Sequence, residues 1–575
     1  MPGETDSTRP KAQFSHHFQT DVLIVGGSLG GVAAAISCGR MGVRTIMVAP
    51  DQWLGGQATS QGVPPDEHPW IESTGATATY REFRHRIRAR YRDLLPLDPR
   101  WKLDPRLNPG GGHVSPITHD PRVSVQVIEE LLLPFCIAGT LRILRGFRPL
   151  SAEAEGDHVC SVDFGDFSVK AAFVVDATET GELLPLTGTE FRVGAEGRDA
   201  FGEPHGSDRP DPMNQQAVSW CAVLGWRPDT SGAGARREPV ARPASYDYWK
   251  KTVAPFWPGP QLSFSTVDPF TMQAKTGSLF GGTASAPPQP GTMNVGGLWV
   301  YRRIHRPDLY AAGIPPLDAT VLNWPQIDYW DGPIIGAPNA AEAPDAEYHL
   351  SRARELTLSF IHWLQTEAPR HDGGTGYHEV VLRDDVFDTV HGLAREVYVR
   401  ESRRIAARTT VTELDIATRP GVDRATVYPD SVGLASYRID LHPSTAGDSY
   451  IDIESYPAQI PLGSLVPVRM RNLIPGCKNI GTTHLSSGMY RVHPAEWNIG
   501  EAAGAFAAHC VLERTEPHAV VDSPDLTTEF QLLLHDRLGF ELEWPPHVAT
   551  TPREVPQLQW IIREKRSGWS LGGKP

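Results

Sequence analysis

Residues 21–31 constrain this chain more than any other segment. Asp21-Val-Leu-Ile-Val25 is an apolar, β-branched run, and four glycines fall within the next six residues, Gly26-Gly-Ser-Leu-Gly-Gly31. An Ala-rich stretch, Val32 to Ile36, continues to Gly42, and Arg44-Thr-Ile-Met-Val48 is a second apolar run. Strand, tight turn, helix and strand in this order make a compact βαβ unit with parallel strands. The rival reading is a membrane span, since Val22 to Gly39 is eighteen residues without a charge. Five of those residues are glycines, which a strand, a turn and a helix explain better than one continuous helix.

Such a turn has a chemical use. Gly26 makes the bend, the backbone at Gly27, Ser28, Leu29 and Gly30 passes close to a pyrophosphate, and Gly31 lets the helix pack near the strand. The helix N-terminal N–H groups and dipole then face the phosphates. Ser28 stands where the middle glycine is usual, so the pattern is GxSxxG. An acidic residue is expected at the end of the second strand to hold the adenosine ribose. Ala49 occupies that place, and Asp51, two residues on, is the candidate ribose ligand. No basic residue stands there, which argues against a 2′-phosphate.

The length of 575 residues sets a ceiling of about four domains by the ~150-residue prior. A formal charge of −14 excludes a sequence-independent grip on nucleic acid, whose phosphates demand a basic face. Six isolated cysteines without CxxC spacing indicate neither a zinc ribbon nor a dithiol, and fit a reduced, cytoplasmic setting. No histidine or cysteine grouping has metal-ligand spacing, so no metal is expected. Neither a membrane nor a nucleic-acid partner is expected, and a homo-oligomer is left open.

From Asp51-Gln-Trp-Leu-Gly-Gly-Gln-Ala-Thr-Ser-Gln61 onward the chain resembles the FAD-dependent oxidoreductase family of the FAD_oxidored type. Val175-Asp-Ala-Thr178, the run from Tyr398 to Ile405, Ile460 to Pro467, and Asn479-Ile-Gly481 through Gly500-Glu-Ala-Ala-Gly504 carry the same likeness. Asn323-Trp-Pro with Asp328-Tyr329 adds to it. The resemblance covers roughly 20–515 and implies an α/β fold. Its Rossmann-like, glutathione-reductase-like FAD domain would carry an inserted mixed α+β substrate domain. The layout then reads as a flexible tail at 1–20, an FAD-binding first part at 21–204, a capping region at 205–395, a closing part at 396–515 and a C-terminal extension at 516–575.

The resemblance implies roles for particular residues. Gly55 and Gly56 would lie against the flavin, with Gln57 and Gln61 on its pyrimidine edge or ribityl chain. Asp176, Ala177 and Thr178 would turn near the pyrophosphate. A closing helix at about 499–512, with Asn498, Gly500 and Ala502, would stabilise charge at the flavin N1–C2=O edge by its N-terminus. Fumarate reductase and succinate dehydrogenase flavoproteins share this broad architecture and often tether FAD through a histidine. Gly56 stands at that place, which implies noncovalent FAD. The expected activity is oxidation of a small organic substrate by hydride transfer to flavin N5, with oxygen or another acceptor. A monooxygenase fed by an external reductant, a redox-neutral lyase or isomerase, and a non-catalytic Rossmann scaffold are the alternatives.

His484 and His493 are the general-base candidates, set against an ordinary role as buried hydrogen-bonding residues. Arg491 is placed to orient an anionic substrate or the cofactor. Arg400, Glu401, Arg403 and Arg404 read as a salt-bridged strut rather than an anion site. His68 and Trp70 are candidates for the pocket wall. The arginine-rich helix from Tyr80 to Tyr91 reads as a solvated face.

Overall fold

The computed structural model describes residues 16–227, 238–254, 259–268, 273–280, 297–311, 313, 318–337 and 345–553. The βαβ unit forms as its periodicity demands. Strand β1 (His16–Val25) leads through the glycine turn to helix α1 (Leu29–Arg40), and β2 (Thr45–Ala49) returns parallel to β1, Val22 opposite Thr45. Two helices, α2 (Ala78–Leu94) and α3 (Pro121–Ile137), then cross to β3 (Leu141–Arg145), parallel to β2. The hairpin β4 (Ser151–Glu155) and β5 (His158–Asp163) leads into β6 (Phe167–Asp176), which lies parallel to β1. The sheet runs β3-β2-β1-β6-β5-β4.

Strand β1 starts at His16 and pairs with Phe167, so the expected tail is five residues shorter than 1–20. Residues 1–15 of that tail lie outside the described residues. The longer strand is stabilised by β6, whose partner residues lie some 150 positions away and are invisible to local periodicity.

Alternate residues of β1 enter different cores because a strand's side chains point to opposite faces. Val22 and Ile24 join the cluster beneath α1, while Leu23 and Val25 join Val162, Phe164 and Val174 on the other face. With both faces covered, Val22 to Val25 are all buried, as a parallel strand requires.

The capping region is more regular than its composition suggests. Strands β7 (Ala222–Trp226), β8 (Arg303–His305), β9 (Asp318–Leu322) and β10 (Val380–Leu382) form an antiparallel sheet ordered β8-β9-β7-β10. Helix α4 (Ala346–Thr366) packs on it through Ala353, Leu356, Phe360 and Leu364, a three-and-four spacing. Phe280 and Trp299 meet Trp226 edge-on, with centroids 5.0 and 6.1 Å away. The abundant aromatic residues thus build a core here.

The chain then returns to the first domain. Strand β11 (Ser431–Ala435) pairs with β12 (Ala458–Pro461), and β13 (Leu473–Pro475) joins the main sheet parallel to the upper half of β6. Helix α5 (His493–Glu513) closes the fold. It begins six residues before the expected start at 499, because Pro494 is tolerated in the first turn and fixes φ there.

Helices α1 and α5 cross almost backbone to backbone. A β-carbon on Gly500 would lie 2.0 Å from the Gly30 carbonyl oxygen, and one on Gly504 would lie 2.3 Å from that of Ala34. Leu29 to Cys38 of α1 and His493 to Cys510 of α5 are accordingly all buried. No helix among the described residues is long and apolar enough to cross a membrane.

Candidate functional site

The ends of β1, β2 and β6 are stitched together at the glycine turn. Gly26 N–H donates to Val48 O at 2.8 Å, and Ala177 N–H donates to Val25 O at 2.8 Å. Gly26 has φ 115°, and a β-carbon on it would overlap the Ala177 carbonyl. The turn must therefore be glycine. A cavity of about 600 Å³ opens over it, within the range of cofactor sites. Gly26, Gly27 and Ser28 form its floor, Val48, Pro50, Phe147 and Leu150 one wall, and Ala177, Thr178 and Glu179 another.

The predicted cradle is narrower than expected. Gly31 N–H donates to Ser28 Oγ at 3.1 Å, and Gly30 N–H donates to Glu496 Oε1 at 3.2 Å. Those two donors serve the protein itself. Leu29 is buried at the first position of α1, outside the cavity wall. The cavity instead meets the turn at residues 26–28.

The GGQ loop is pinned to the same turn, Gly55 N–H donating to Gly27 O at 2.7 Å. Gly55 and Gly56 have φ 111° and 46°, and a β-carbon on Gly56 would strike Glu179 Oε1. Gln57 Nε2 donates to Glu496 Oε2 at 2.6 Å and to Arg491 O at 3.1 Å. Gln57 Oε1 and Gln61 Oε1 are buried without hydrogen-bond partners among the described residues, while the Gln61 amide N–H side lies by the Glu179 carboxylate. Buried amide atoms are rarely left so, and they mark where a ligand's polar edge fits. Gln61 reaches the cavity wall.

Asp176 lies beneath the site. It accepts from Thr178 N–H and Oγ1–H at 3.1 and 2.7 Å and from Leu183 N–H at 3.2 Å, fixing the loop that presents Ala177 and Thr178. Burial pushes its carboxyl up to about 6. Asp51 Oδ1 accepts from Trp53 N–H and Arg395 Nε, both at 2.7 Å, so that oxygen braces a loop. Asn498 Oδ1 accepts from Leu434 N–H at 2.9 Å, Gly500 lies in the α1–α5 seam, and Ala502 is buried in the helix. The structure gives these three α5 residues packing roles.

The two histidines differ sharply. His493 is wholly buried, with Nδ1 accepting from Asp66 N–H and Nε2 donating to Val63 O, both at 3.1 Å. Burial drives its pKa down to about 3, so the ring stays neutral with both nitrogens committed. His484 Nδ1 lies 2.9 Å from Glu401 Oε1, and its N–H donates to Glu196 Oε2 at 2.7 Å. Burial opposes its charge, but the Glu401 carboxylate prevails and holds the imidazole pKa above the ordinary value. The His493 geometry does not suit a free proton acceptor. Arg491 Nη1 donates to Tyr398 OH at 2.9 Å, and Nη2 to Asp440 O and Oδ2 at 3.0 and 3.1 Å.

The charged knot is the strut the sequence suggests: Arg404 binds Glu401 and Glu196, and Arg400 binds Asp328 at 2.9 Å. The arginine-rich helix is not wholly a solvated face. Arg84 reaches Glu67 at 2.8 Å and Glu72 at 2.7 Å, and Arg88 reaches Glu72 at 2.6 Å, all inside the protein. His68 Nε2–H donates to Gly75 O at 3.0 Å, and the ring packs against Trp544 of the C-terminal extension at 5.2 Å.

Sequence reasoning missed a buried charge cluster that reaches the cavity through Glu179. Lys478 is buried between Glu179 and Glu496, its Nζ 3.2 Å from Glu496 Oε2. The two carboxylates and Cys477 approach with metal-ligand spacing, but the Lys478 ammonium bonds to all three. A lysine and glutamates inside otherwise apolar stretches were the available clue, since such residues are seldom buried unpaired.

A family model described as FAD dependent oxidoreductase matches residues 21–534. The chain belongs to that family. No curated protein matches the sequence. Among solved structures, this oxidoreductase is similar to an L-amino acid deaminase from Proteus vulgaris at 15% identity and TM-score 0.23, over 40% of this chain and 57% of that one. It is also similar to Lactococcus lactis thioredoxin reductase at 12% identity and TM-score 0.16, over 28% and 35%. The match thus spans under two thirds of either neighbour.

FAD is the family's cofactor, and the oxidoreductase has residues that fit it. The side-chain-free turn at 26–27 admits a pyrophosphate, the apolar wall at Val48 and Phe147 suits an adenine, and the unpartnered Gln57 and Gln61 atoms suit a polar ring edge.

Proposed function

We propose that this oxidoreductase binds FAD noncovalently and dehydrogenates a small organic substrate. Oxygen or a separate electron carrier then takes the electrons. The observation that carries the reading is the unpartnered Oε1 of Gln61 on the wall of a cavity that begins at the glycine turn, with that of Gln57 in the same loop. Noncovalent binding is supported by Gly56, which stands where fumarate reductase flavoproteins attach FAD through a histidine. The flavin, when bound, supplies the hydride acceptor; the protein supplies orientation and a place for the proton.

The proton acceptor favoured by this geometry is Asp66. Its Oδ1 is buried without a partner, its Oδ2 lies 3.4 Å from Arg302, and its own N–H is held by His493. His493 thus acts as a positioning residue, fixing the 63–66 loop against the start of α5. Such positioned proton transfer contributes about 10²–10⁴-fold.

The test is anaerobic mixing of the FAD-loaded protein with a pool of small alcohols, amines and acids. Bleaching of the flavin by a pool member, slowed by about 10²-fold or more in Asp66→Asn at unchanged FAD content, is the expected outcome. Product formation with unbleached flavin would establish the redox-neutral alternative. Protein that cannot be reconstituted with FAD would remove the reading altogether.

A further inference from the structure

Arg302 and Arg491 come from distant parts of the chain and share Asp66, Tyr398 and Tyr437 as electrostatic neighbours. Arg302 Nη2 holds Asp66 Oδ2 at 3.4 Å, yet its Nε and Nη1 are buried with no partner among the described residues. Arg491 Nε is likewise buried and unpartnered. The link to the cofactor side is direct: Gln57 Nε2 donates to the Arg491 carbonyl, and His493 accepts from the Asp66 N–H.

The charges around Tyr437 do not cancel. Arg302 faces Asp66, Arg491 faces Asp440, and Arg438 faces Asp452. Arg553 is fully buried with its guanidinium 5.8 Å from the Tyr437 ring centroid, and all three of its side-chain nitrogens lack partners among the described residues. Among the described residues, these four guanidinium groups stand against the three carboxylates in contact with them, a fourth, Asp268, acting on Asp452 while paired with Lys275. Buried charge of this kind calls for a counter-ion.

We propose that Arg302 and Arg491 form the substrate's carboxylate site, so that the substrate is a small monocarboxylate. This rests on the dehydrogenase reading for its place beside the flavin, but not for the binding itself. Planar guanidinium forks match a planar carboxylate with two parallel bonds, and Arg302 Nη2, bonded once to Asp66, keeps a second hydrogen to pair with the free Nε or Nη1. The single surplus positive charge matches a monoanion. Inorganic phosphate at pH 8, where it is largely dianionic, overfills it.

The experiment is calorimetric titration of the FAD-loaded protein at pH 8 with benzoate, benzamide and inorganic phosphate. Benzoate is expected to bind saturably, and the isosteric neutral amide at least tenfold more weakly. Arg302→Gln and Arg491→Gln should each weaken benzoate tenfold or more. Arg302→Lys, which keeps the charge and loses the fork, should fall between wild type and Arg302→Gln. Flavin content and melting temperature identify any variant that has simply lost its fold, and Arg302→Lys then carries the comparison. Equal binding of amide and acid, tighter binding of phosphate, or variants that bind benzoate like wild type would overturn the site. If benzoate binds as expected but no substrate bleaches the flavin, the dehydrogenase reading fails and the carboxylate site stands. Bleaching by neutral substrates with no benzoate binding gives the reverse.

Discussion

Gly500→Ala sets two effects against each other. In an isolated helix the change is favourable by about 0.8–1.0 kcal/mol, because alanine gives up less backbone entropy. At this position the new methyl would lie 2.0 Å from Gly30 O and 2.3 Å from its Cα. Ordinary non-bonded separation is about 3.5 Å or more, so α5 has to retreat by roughly 1.5 Å. Both contacts are backbone atoms, and α1 is buried along its length with no slack. Overpacking a tight core costs about 1–3 kcal/mol, and the rigid partner places this case at the upper end. The net expectation is a loss of about 1–2 kcal/mol. Displacing α1 also moves the turn at 26–28, so FAD affinity should fall with stability. Urea unfolding followed by circular dichroism, with flavin fluorescence for release, measures both. A variant as stable as wild type, or more so, would refute the backbone-contact argument. Normal stability with lost FAD would instead support Gly500 as a cofactor contact.

Three further outcomes follow from buried charge and packing. Lys478→Met leaves Glu179 and Glu496 without their shared cation, and breaking a buried pair costs about 3–5 kcal/mol; urea midpoints should show the deficit at pH 8. His493 contributes to the pH dependence of folding with a definite sign. Its pKa falls from 6.5 to about 3 on folding, so the unfolded chain takes up the proton first. The stability it contributes is present above pH 6.5 and is lost progressively as pH falls toward 3. His493→Gln should therefore flatten the stability profile in that window, and an unchanged slope would count against the buried neutral ring. Trp544→Ala should uncover His68 to diethylpyrocarbonate while leaving FAD content unchanged, because Trp544 shields that ring from the outer side of the loop.

What the sequence discloses here depends on range. The run from β1 to β2 is legible because strand period, glycine turn and helix all act within some thirty residues. The strut at Arg400 to Arg404 is legible in kind because guanidinium groups so dense must be paired. The start of α5 is not, since Val492 offers no side-chain cap and Pro494 is the sole local mark. Asp51 illustrates the larger limit: what decides its role is Arg395, 344 residues away. The same holds for Glu496 on Gly30 and for Asp66 on Arg302. Backbone periodicity carries no record of which distant charge a side chain will meet.

The outer edge of β6 has two owners. Its lower half pairs antiparallel with β5, Val169 opposite Val162, while its upper half pairs parallel with β13, Val174 opposite Leu473. The first partner leaves the ribosome just before β6, and the second some three hundred residues later. For most of synthesis the upper half of β6 is thus an open strand edge, free to recruit a neighbouring chain. The floor of the cavity stays unfinished for the same interval, because Gly476 carries the chain from β13 onto Gly30 and Val175. The nascent protein must therefore hold its N-terminal half soluble before it can receive a cofactor, and fragments ending before residue 473 should aggregate rather than bind flavin.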